Sequence, residues 1–88
     1  MITNMTTKLE RWIDVCKIGT YEATFEINVD IIPFEKLLEI VVPRKDDPLL
    51  YEGYILNENQ LRSIQTLLKQ HISIDLKTFT YTLVCASV

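Results

Sequence analysis

Few side chains in this sequence have the types and spacing that do chemistry. His71 is its single histidine. A general base there would need a nucleophile or acid close by, and the sequence spacing offers none. A cation near the end of a predicted helix is favourable in itself, so the expected role of His71 is structural. Cys16 and Cys85 fall on strands expected to be neighbours, which raises a metal or redox pair. A metal site needs more ligands than two thiols and one imidazole, and free cysteine is commonly buried, so core packing is expected. Asp46-Asp47 is the one adjacent carboxylate pair, with Glu52 five residues on. Such a pair can hold a divalent ion or share a proton. The stretch lacks the alternating oxygen ligands and central glycine of a calcium loop, and it reads as a solvated acidic loop. GxGxxG, GxxxxGK, HExxH and GxSxG are all absent. The expectation is a protein that is not an enzyme, with no catalytic residue, metal or cofactor.

The elements that would position these residues belong to one small domain. A chain of 88 residues has room for a single core. Its 48% apolar and 24% charged residues are ordinary for a globular protein. A net charge of −3 disfavours direct nucleic-acid binding. Met1 to Thr7 carry neither the basic start nor the apolar run of a signal peptide, and no stretch approaches a membrane span. A secreted domain this short usually holds four or more cysteines, so the expected setting is the cytoplasm. Residues 1–8 are expected to form a loose tail and 9–88 the domain.

From Leu9 to Lys17 the chain reads as a strand with apolar groups on both faces: Ile13 and Val15 on one, Trp12 and Cys16 on the other. Ile18-Gly19-Thr20 reads as a hairpin turn with Gly19 at positive φ. Tyr21, Ala23, Phe25, Ile27 and Val29 then alternate with polar residues, the mark of a strand with one buried and one wet face. Pro33 is placed as a first helical residue, followed by Phe34, Leu37, Leu38 and Val41 at helical spacing. Residues 43–53 read as a loop, with a short extended piece near Tyr54. Asn57 and Gln60 form a capping box for a helix of about four turns striped by Leu61, Ile64, Leu67, Leu68 and His71. Phe79, Tyr81, Leu83 and Cys85 alternate with threonines and Val84 in a last strand.

The expected fold is therefore α+β, a three- to four-stranded antiparallel sheet with two helices on one face, in the order β-β-α-α-β. Strand order 2-1-3 would centre the two-faced first strand. The open sheet face would show Glu22, Thr24, Glu26, Thr78, Thr80 and Thr82.

Charge is uneven along the chain. Residues 1–30 carry net −2, residues 31–60 net −3 and residues 61–88 net +2. The acidic side would steer a basic partner. Tyr51 and Tyr54 beside those acids are either binding anchors or core-edge packing.

Three groups of residues carry a likeness. They are Trp12-Ile13-Asp14-Val15 with Gly19 and the alternation from Glu22 to Ile27; Asp47-Pro48-Leu49 with Tyr54 and Asn57-x-x-Gln60-x-x-x-Ile64; and Ile74-Asp75 with Thr78-Phe79-x-Tyr81-x-Leu83. Together they resemble the short bacterial immunity proteins encoded beside polymorphic toxins, including those of contact-dependent growth inhibition. The likeness runs from about Leu9 to Cys85, and Arg44-Lys45 departs from it by making the loop more basic. It implies a cytoplasmic protein that binds the C-terminal toxin domain of a cognate effector. Such toxins are often nucleases with basic grooves. An acidic surface would then block the groove, and the candidate partner-binding residues are Glu22, Glu26, Asp46, Asp47, Tyr51 and Glu52. The alternative is a homo-oligomeric structural or adaptor domain that pairs through an edge strand or the threonine-rich face, so a homodimer is a possible state.

Overall fold

The computed structural model of the chain describes residues 9–87; the tail expected over 1–8 and the final Val88 lie outside them. The elements are β1 (Leu9–Lys17), β2 (Ala23–Asn28), α1 (Phe34–Ile40), β3 (Tyr54–Ile55), α2 (Glu58–Leu68) and β4 (Phe79–Ser87). The strands form one antiparallel sheet in the order β2-β1-β4-β3. This is the α+β architecture expected from the sequence, with β1 central and paired on both sides. The extended piece at Tyr54–Ile55 becomes a strand in its own right, so the element order gains a β between the helices.

Pairing fixes which side chains share a face. Ile13, Val15, Tyr81 and Leu83 point inward and are buried with Leu37 of α1, Val41 just after it, and Leu61 and Ile64 of α2. Among the described residues no helix covers the opposite sheet face. Gly19 turns β1 towards β2 with φ at 90°, a value open to glycine without strain, and the Thr20 amide donates to the Lys17 carbonyl at 3.0 Å.

Both helices are set by local chemistry. Asn57 Oδ1 accepts from the Gln60 amide at 2.8 Å, and Gln60 Oε1 accepts from the Asn57 amide at 2.9 Å. That closes the expected capping box. The Gln60 side chain also donates to the Ile40 carbonyl, tying the start of α2 to the end of α1. Pro33 sits just ahead of α1 rather than inside it: its ψ of 141° is extended, and its carbonyl accepts from Lys36 and Leu37. The second helix stops short of His71. Lys69 adopts a left-handed φ of 55°, and the Lys69 and Gln70 amides turn back to the carbonyls of the last turn. His71 is exposed beyond it.

The second strand departs most from expectation. Tyr21 lies before β2 and is fully exposed, and Phe25 within it is 58% exposed. The cause is coverage. The cover reaches Val15 and Tyr81, which lie level with Phe25 and are buried, but does not extend to β2 at the edge of the sheet. The register also shifts between Val15 and Cys16, which puts Ala23 rather than Thr24 across from Cys16. Cys16 lies opposite Thr80 on the helix-free face, and Cys85 lies opposite Arg11 on the other. Both thiols are free and half-buried, and neither joins the fully buried core expected for them.

Two substitutions test this account by urea unfolding. Leu61→Ala, at a site with no exposed surface, should cost about 2–5 kcal/mol. Asn57→Ala should cost about 1 kcal/mol by removing one half of the capping box. Equal, negligible costs for both would contradict it.

Candidate functional site

The long connection between α1 and α2 is organised around one carboxylate. Asp47 is 5% exposed. Its Oδ1 accepts from the Tyr51 amide at 2.9 Å, and its Oδ2 accepts from the Glu52 amide at 2.9 Å and the Tyr54 hydroxyl at 2.7 Å. The Tyr54 hydroxyl in turn accepts from the Arg44 amide, and the Arg44 guanidinium lies 4.2 Å from the centre of the Tyr54 ring. Burial alone would raise the Asp47 pKa. The Tyr54 hydroxyl, the two amides and the Arg44 charge outweigh it and hold the carboxyl below the ordinary range. Burial and the adjacent Asp47 push the Tyr54 phenol up. Asp47 is thus the loop's internal anchor and not the exposed acid that its pairing with Asp46 suggested. A buried carboxylate needs such donors, and its burial rather than its position in the sequence sets Asp47 apart from the exposed Asp46.

The helix-free sheet face offers a surface instead. Strand pairing places Glu10, Trp12 and Asp14 of β1, Glu26 and Asn28 of β2, Ile55 of β3, and Thr80, Thr82 and Val84 of β4 on it. No lysine or arginine of the described residues occupies a paired position on this face. Three carboxylates therefore surround one indole. The Trp12 Nε1 donates to Asp14 Oδ1 at 2.7 Å, which fixes the ring, and a shallow depression of about 280 Å³ runs between Glu10, Trp12, Glu26 and Asn28.

Of the residues singled out by sequence, Glu26 lies on this face. Glu52 is exposed at its border, because Gly53 passes so close to β4 that a Cβ there would meet Thr82 Cγ2 at 3.3 Å. Glu22 is exposed in the connection before β2, and Asp46 and Tyr51 are exposed on the loop. Tyr54, by contrast, is core. Thr80 and Thr82 take the places expected of them, whereas Glu22 and Thr78 precede their strands and Thr24 falls at the register shift. Glu10 and Asp14 join the face without having been singled out by sequence. The signal for them is parity: once Ile13 and Val15 point inward, the even positions of β1 must point out.

Among the described residues, no group of three His, Cys, Asp or Glu side chains is placed to hold a metal ion. No helix among them is long and apolar enough to cross a membrane. Arg11 faces inward, stacks 4.7 Å from the Phe34 ring centre and donates to the Leu49 carbonyl, so it clamps the loop to the sheet. A family model described as a domain of unknown function, DUF7683, matches residues 10–84. No curated protein and no solved structure matches the chain.

The Asp47 anchor has a signature in pH. A carboxyl depressed on folding lends stability above its unfolded pKa, and that stability is lost as pH falls through the folded value. A phenol raised on folding lends stability below about pH 10, lost as pH climbs through its own folded value. Urea midpoints followed from about pH 7 down to pH 2 should therefore fall more steeply for the natural chain than for Asp47→Asn. The variant should also be less stable at neutral pH, by more than Asn57→Ala. Parallel acid profiles for the two proteins would refute the anchor.

Proposed function

We propose that this chain, which belongs to the DUF7683 family of domains of unknown function, is a stoichiometric binding module whose helix-free sheet face receives a basic protein partner. The observation that carries the reading is the composition of that face: Glu10, Asp14 and Glu26 around Trp12, with no compensating base at a paired position. Two cations of the helices are engaged elsewhere, Lys36 with Glu39 and Arg62 with Glu58. A cationic partner would be steered to the open side, and Trp12 would give a lysine or arginine an aromatic surface to lie on.

The likeness to immunity proteins narrows the partner to the C-terminal toxin domain of a bacterial effector. A nuclease groove built for phosphates has the complementary charge. In this reading the carboxylates of the sheet, with Glu52 at the border and Asp46, Tyr51 and Glu22 further out, cover such a groove and no bond is made or broken. The compartment proposed is the cytoplasm, where Cys16 and Cys85, held on opposite faces, would stay reduced.

Affinity capture of the tagged protein from its host cells tests this. The natural chain should recover one stoichiometric partner with a basic surface. Glu10→Lys combined with Glu26→Lys should weaken capture at least about tenfold, mainly through slower association, and added salt should mimic the effect. Glu35→Lys on the exposed side of α1 should change nothing. Recovery of the bait alone, at the mass of two chains, would replace this reading with the self-associating alternative.

A further inference from the structure

We propose that β2 accepts an extended segment of the partner as a fifth strand, one with apolar side chains on its inward side and lysine or arginine on its outward side. This rests on the basic-partner reading and assigns it a second element, the sheet edge.

β2 ends the sheet order, so no strand among the described residues pairs with the outer side of its backbone. The Val29 amide donates to the Arg11 carbonyl at 3.1 Å, and Ile27 and Phe25 continue the pairing opposite Ile13 and Val15. Backbone groups alternate along a strand, so Glu26 and Asn28 turn their amides and carbonyls away from β1 to the open edge. Beside them on the inward side runs a groove of about 450 Å³, with Phe25, Ile27, Ile72 and Phe79 among its apolar walls and the polar segment that includes His71 and Asp75 along its other side. Phe25 meets Phe79 edge-on at 6.2 Å, and Phe79 meets Tyr81 at 6.5 Å. An added strand would drop every second side chain beside this aromatic row and cover the exposed part of Phe25.

Charge decides the occupant. The outward neighbour of an added strand is Glu26, and Glu22 precedes it. A second copy of this chain is disfavoured in the register centred on Glu26, because antiparallel pairing of β2 with itself there sets two carboxylates face to face. A basic alternating strand meets a carboxylate there instead.

The test uses the full chain, a capped peptide Lys-Val-Lys-Val-Lys-Val-Lys and its counterpart with glutamate for lysine. Amide exchange is followed by NMR at millimolar peptide. The basic peptide should slow exchange at Glu26 and Asn28 by at least about tenfold, and the acidic one should not. Glu26→Gln, which keeps the edge amide, should weaken binding at most about fivefold. Glu26→Pro removes that amide without touching a bond to β1, and should abolish the protection. If the proline is not tolerated, Phe25→Ser probes the added strand from the groove side and should likewise remove the protection. Absence of protection, equal protection by the acidic peptide, or unchanged protection in Phe25→Ser would overturn the proposal. A captured partner that binds Glu26→Pro as tightly as the natural chain would remove the edge while leaving the sheet-face reading in place. Protection by the peptide with no partner captured would do the reverse.

Discussion

The structure turns on one carboxylate taken out of water. Burying a charge costs several kcal/mol unless hydrogen bonds replace its hydration, and Asp47 has donors on both oxygens from Tyr51, Glu52 and Tyr54. Satisfying it dictates the course of the chain from Arg44 to Tyr54. Leu50 is held at a left-handed φ of 57° with its side chain fully buried, a conformation that costs a bulky residue about 1–2 kcal/mol and that the surrounding contacts must impose. Tyr54 is held at both ends, its ring in the core and its hydroxyl on Asp47. That matters because β3 is only two residues long and its pairing with β4 would not persist alone. Tyr81, on β4 beside β3, does the same for the other connection. Its buried hydroxyl donates to the Ser73 carbonyl and accepts from the Asp75 amide, which pins the connection between α2 and β4.

With both long connections drawn onto the helical side, the other face of the sheet is left open. Two helices of seven and eleven residues cannot wrap a four-stranded sheet, and nothing else in the described chain crosses that face. What the face displays follows from the pleat alone: carboxylates at three paired positions, threonines along β4, one indole between them. The two helical ion pairs are exposed and add little to stability. Each joins one cation to one anion, so the helices carry no positive excess, whereas the carboxylates at paired positions of the sheet face have no cation beside them. The proposed function is a consequence of this layering more than of any single residue.

Much of this is legible in the residues, and the reasons are local. The Asn57–Gln60 box, the positive φ at Gly19 and the inward stripe of α1 are encoded within a few positions, and each is found where expected. The central place of β1 is legible because apolar groups on both faces need two neighbours. What the sequence hides is tertiary. Asp46 and Asp47 are chemically alike, and only the Tyr54 hydroxyl, seven residues away and brought back by the fold, separates the exposed one from the buried one. Alternation in β2 tells which side chains share a face but not whether a helix covers it, so Tyr21 and Phe25 carry a core pattern and yet meet water. Trp12 and Cys16 blur the parity of β1 and conceal Glu10 and Asp14, the two acids that complete the candidate surface with Glu26.

Trp12 is the only tryptophan, so its indole reports on the centre of that surface without interference. The most direct measurement is the indole N–H resonance and emission of Trp12 before and after saturation with the captured partner. If the partner sits on the sheet face, the resonance moves or broadens, the emission shifts, and with Glu10→Lys combined with Glu26→Lys both changes need at least about tenfold more partner. A saturated complex in which the Trp12 signals are those of the free protein would contradict the account, because the partner would then occupy some other part of the molecule.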